Sequence, residues 1–84
     1  MGRNIKKMTK EYSEAVTKLR EQLPDNGIVM VAERCGKSKE MVGMALNLKR
    51  YPSEKIVKAA MEIVKEYKEK ERALAEEIQN VIDE

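Results

Sequence analysis

VAERCGKSKEMVGMALN, residues Val31 to Asn47, is the stretch whose reading decides the fold. With Ile28 just before it, Val31, Ala32 and Cys35 recur at i, i+3, i+4 and i+7, the spacing that puts side chains on one face of a helix. Gly36 follows at once, where a helix C-terminus favours a residue that tolerates positive φ. Ser38 is an N-cap, its hydroxyl placed to accept a backbone N–H of a new first turn, and Glu40 puts a negative charge where the dipole of that helix favours one. Along this second helix Val42, Ala45 and Leu46 form the inward stripe. Lys39, Glu40, Gly43, Met44 and Asn47 face away. Two short helices joined by a tight turn follow, and Ala32, with only a methyl group, lets them cross closely.

A small residue, a glycine four positions on and a β-branched residue six further is the pattern of a helix-turn-helix. Residues 28 to 64 resemble the DNA-binding headpiece of the lactose-repressor family, whose pattern runs Val-Ala-x-x-x-Gly-Val-Ser-x-x-Thr-Val-Ser-x-x-x-Asn. Val31, Ala32, Gly36, Ser38, Val42 and Asn47 match it, and EKIVKAAMEIV, from Glu54 to Val64, looks like the third helix that closes that headpiece. Lys37 stands where the family has an apolar residue, Met41 where it has Thr and Gly43 where it has Ser. The resemblance implies sequence-specific binding of double-stranded DNA. A chain of this length leaves no counterpart of the family's hinge and sugar-binding domain, so effector control is not expected.

In the major groove, Lys39 could donate to guanine, Glu40 could accept from cytosine N4, and Met44 could lie against a thymine methyl, with Asn47 near the end of the helix. Gly43 costs about 1 kcal/mol of helix propensity relative to alanine. That fits a backbone approached closely by DNA, and equally a neutral accident. Arg34, Lys37, Ser38, Lys49 and Arg50 are the phosphate candidates, which would position the protein and set its salt dependence. The alternative for all of these is a solvated charged face, on a scaffold that serves as a protein–protein interaction module.

The rest of the chain supports an all-α domain of about four helices. With 84 residues, no Trp or Phe, three Tyr and six Met, one small aliphatic core is the ceiling. Met8, Tyr12, Val16, Leu19 and Leu23 step by four or three, predicting an amphipathic helix over 9–23 capped by Thr9, with Glu14 and Lys18 paired on its wet side. Pro24-Asp25-Asn26-Gly27 ends it in a turn. The motif helices are expected over 28–35 and 38–48, the second ending near Lys49 because Pro52 biases Tyr51 away from helical dihedrals. Ser53 caps a last helix running toward the C-terminus, about 45 Å long if unbroken. Its inward positions, Ala60, Val64, Tyr67, Glu71, Leu74, Ile78 and Val81, form a heptad series broken by Glu71. Ile56, Val57, Ala60 and Val64 should pack on the motif. Leu74, Ile78 and Val81 need another partner: a second copy in a coiled coil, or helix one through Val16 and Leu19.

The expected organisation is thus a flexible basic arm over 1–8, a DNA-binding domain over 9–67 and an extension over 68–84 that dimerises the chain. The arm reads either as a solvated terminus or as a segment reaching phosphates or a minor groove. Residues 1–61 hold 13 Lys and Arg against 7 Asp and Glu, while residues 62–84 hold 4 against 8, so the net charge of +2 hides a basic front and an acidic tail. A homodimer would double a short site and set two recognition helices about 34 Å apart. A small dimeric, repressor-like regulator of transcription is the reading that results.

With no His and one Cys, zinc ligation is excluded, and Cys35 is expected to be a core residue of a chain kept in a reducing compartment. No nucleophile sits beside a base and no Gly-rich phosphate loop occurs, so no enzyme activity is expected. The longest apolar run, Ile28 to Ala32, is far short of a membrane span or a signal sequence. A soluble cytoplasmic protein without cofactor, small-molecule ligand or membrane partner is the expectation.

Overall fold

The computed structural model describes residues 8–84, and the basic arm expected at the N-terminus lies, apart from Met8, outside the described residues. Four helices follow in order: α1, Lys10–Glu21; α2, Gly27–Cys35; α3, Lys39–Leu46; and α4, Glu54–Ile82. No strand occurs among the described residues.

Three helices start by one device. Thr9, Ser38 and Ser53 each hold extended backbone while the side-chain oxygen accepts the N–H three residues on, from Tyr12 at 3.0 Å, Met41 at 3.1 Å and Ile56 at 3.3 Å. Each satisfies a donor that the helix itself leaves orphaned. α2 starts differently, without a side-chain cap at Asn26. There the chain turns so tightly after Pro24 that a Cβ on Gly27 would stand 2.6 Å from the Cβ of Leu23.

α2 and α3 end by another shared device. Gly36 lies at φ 70°, and the Lys37 N–H reaches back to the Ala32 carbonyl at 3.1 Å. After α3, Leu48 lies at φ 65°, with its N–H on Ala45 O at 3.1 Å and the Lys49 N–H on Met44 O at 2.8 Å, a Schellman arrangement. A leucine in this region is disfavoured by about 1–2 kcal/mol. What holds it is its own packing against the core. The helix expected to reach residue 48 therefore stops at Leu46.

Val16, Val31, Val42, Leu46, Ile56, Ala60 and Ile63 are buried together, with α2 lying mainly against α4 and α3. Ala32 and Cys35 are buried on the same face of α2, as their spacing predicts. On α4 the core takes Ala59 and Ile63 in addition to the expected Ile56, Ala60 and Val64, and Val57 is half-buried at its edge. Beyond Val64 every residue of α4 is exposed. Leu74, Ile78 and Val81 therefore do not fold back on Val16 and Leu19, because α4 continues straight past the core. No ion pair joins Glu14 and Lys18; among the described residues the i,i+4 ion pair on a helix surface is Glu54–Lys58, at 3.0 Å. No helix among the described residues is long and apolar enough to cross a membrane.

Candidate nucleic-acid interface

The turn between α2 and α3 spans only Gly36, Lys37 and Ser38, so it fixes the start of α3 at the surface while Val42, Ala45 and Leu46 anchor it below. Lys39, Glu40, Met44 and Asn47 are exposed on the outer face, as expected, and Met44 keeps 40% of its accessible surface. Gly43 lies in the middle of that face. A Cβ there would meet nothing within 4 Å, so the domain's own packing does not require glycine at this position. The Asn47 side-chain amide donates to the Gly43 carbonyl at 2.8 Å, which turns it toward the centre of the face rather than outward from the helix end.

The cations divide into two sets. Lys37, Lys39, Lys49 and Arg50 are exposed, and none forms an ion pair among the described residues. Lys37 and Arg50 line one small cleft of about 130 Å³, with Ser53 and Met41 on its walls. Two positive charges from the opposite ends of the α3 segment thus border one recess. The Ser38 hydroxyl oxygen accepts from the Met41 N–H, which leaves its own hydrogen to donate outward.

Arg34 belongs to neither end. Its guanidinium donates to Glu66 through two bonds, Nη1 to Oε2 at 2.6 Å and Nη2 to Oε1 at 3.1 Å, and to Glu62 Oε1 at 3.4 Å. Expected at the phosphates, it instead ties α2 to α4. The reason is reach: a residue in the last turn of α2 faces the middle of α4, where two carboxylates one turn apart match its planar fork. The hydrogen bonds that Arg34 donates hold the Glu66 carboxyl below its ordinary value, and the same bonds, accepted by Glu66, raise the guanidinium above its own.

The segment leaving α3 has its own support. The Tyr12 hydroxyl donates to the Pro52 carbonyl at 2.8 Å, and the Tyr12 and Tyr51 rings lie 5.6 Å apart, tilted by 32°. Pro52 is buried. Burial, with Tyr51 and Glu54 nearby, pushes the Tyr12 phenol above its ordinary value. This long-range bond positions the Lys49-Arg50 segment from α1, and nothing in the periodicity of the sequence marks it.

Fold and surface together define a small all-α domain of four helices, with α2 and α3 joined by a three-residue turn. Comparison with protein-family models, curated proteins and solved structures returns no match.

Proposed function

We propose that this chain binds double-stranded DNA, with α3 in the major groove and the cations at its two ends on the flanking phosphates, and that it regulates transcription in the manner of a small repressor. The observation that carries this reading is the surface of α3: an exposed face with a bare glycine at its centre, bordered by Lys37, Lys49 and Arg50, none of them paired with an acid among the described residues. Exposed cations at the two ends of a groove-sized helix suit phosphate oxygens. The resemblance of residues 28–64 to the lactose-repressor headpiece supports the same orientation, with Lys39, Glu40, Met44 and Asn47 toward the base edges.

The competing reading is a protein-interaction module that uses the same face, and exposed Met44 beside Gly43 is what favours it. Selection from a random duplex pool separates the two. Enrichment of a short motif, with protection of major-groove edges, supports DNA recognition. No duplex retained even at low salt sinks it and leaves the protein contact.

A further inference from the structure

From Tyr67 onward α4 leaves the domain, and Leu74, Ile78, Val81 and Ile82 expose 55, 55, 69 and 67% of their surface around a shallow groove. An unpacked helical segment of this length is marginal in water, so an apolar stripe along it calls for a partner. On the domain side of Glu71, a cleft of about 520 Å³ lies where Tyr67, Ile63 and Lys70 of α4 face Met30 and the turn before α2.

We propose that the partner is a second copy of this chain, and that the two α4 segments pair antiparallel over residues 68–84. Charge decides both points. Residues 73–84 carry four acidic side chains and no basic one, whereas residues 65–72 carry four basic and three acidic, one of which, Glu66, is already held by Arg34. A parallel pair sets acidic end against acidic end and Glu71 against Glu71 in the same layer. The antiparallel pair sets each acidic end along the other copy's basic middle. With Leu74 against the partner's Ile78, and reciprocally, residue 68 aligns with residue 84, so the overlap of about 25 Å consumes the whole free segment. Lys70 then lies within two residues of the level of the partner's Glu84, twice by symmetry, Glu71 faces the partner's Val81 at the end of the overlap, and Glu77 comes near its own counterpart at the two-fold. The two helix-turn-helix units stand at opposite ends of the paired segment, and the pairing requires no DNA.

Sedimentation equilibrium of the full chain at tens of micromolar, without DNA, should give a dimer. Leu74→Asp with Ile78→Asp should be monomeric while keeping the cooperative thermal unfolding of the domain, because both residues are exposed. Lys70→Glu or Glu84→Lys alone should weaken the dimer roughly threefold to tenfold, and the two together should restore it. A monomeric wild-type chain, or a dimer indifferent to the Leu74 and Ile78 changes, overturns the proposal. A dimer that the double charge reversal fails to restore overturns the antiparallel order. None of these outcomes depends on whether the chain binds DNA, so failure here and failure of the DNA reading are separate results.

Discussion

Arg34 and Glu66, 32 positions apart in sequence, meet through two parallel hydrogen bonds of 2.6 and 3.1 Å that clasp the end of α2 to the middle of α4. Glu66 titrates below its ordinary range because the guanidinium favours its ionised form. A carboxyl whose folded pKa is depressed contributes stability present above its unfolded pKa and lost as pH falls through the folded one. Urea titrations of wild type and Glu66→Gln should therefore differ near pH 7 and converge in acid, below the usual glutamate range. A difference that persists unchanged at the acid end would mean that the pair does not act through its charge.

Tyr12 titrates in the other direction. Its phenol is raised by burial and by its neighbours, so the stability it contributes is complete below the ordinary tyrosine value near 10 and declines as pH rises through the folded pKa. Tyr12→Phe removes the bond to the Pro52 carbonyl and should cost about 1 kcal/mol near neutral pH. The variant should also lose part of the alkaline destabilisation, read as the change in thermal midpoint between pH 8 and pH 11.

Two glycines should respond with opposite signs. Gly36 lies at φ 70° with open space around a would-be Cβ, so Gly36→Ala meets only backbone strain, about 1–2 kcal/mol of destabilisation. Gly43 is helical and equally uncrowded, so Gly43→Ala should stabilise the fold by up to about 1 kcal/mol. On the DNA reading the same Gly43→Ala change should weaken binding, a split between stability and affinity that denaturation and titration of one variant would reveal.

Val42 is fully buried in the face of α3 turned to the core. Val42→Asp places a carboxylate there without a partner and should cost more than about 4 kcal/mol, enough to unfold so small a domain. Circular dichroism retaining native helicity and a cooperative transition would contradict the core assignment.

The helices were legible because each carries its signals locally: an apolar stripe of helical period, a Thr or Ser cap before α1, α3 and α4, and a glycine after α2. The end of α3 was less so. Leu48 takes the conformation that Gly36 announces by its type, and only its packing against the core, invisible in a linear sequence, permits that. The exposed cations around α3 were placed correctly on the surface, but spacing does not tell Arg34 from Lys37. What separates them is Glu62 and Glu66 on a helix nearly thirty positions away. The Tyr12–Pro52 bond is of the same kind, set by how two distant elements cross.

Whether α3 and its flanking cations bind duplex DNA is read most directly from the affinity of the full chain for a selected and a random duplex across a salt series. Affinity should fall steeply with salt for both duplexes, and replacing Lys37 or Arg50 by alanine should reduce the slope by about one unit. Lys39→Ala should instead erase about 1–3 kcal/mol of preference for the selected duplex. Absence of duplex binding at low salt, or binding that Lys37, Lys39 and Arg50 do not influence, would contradict DNA binding through α3.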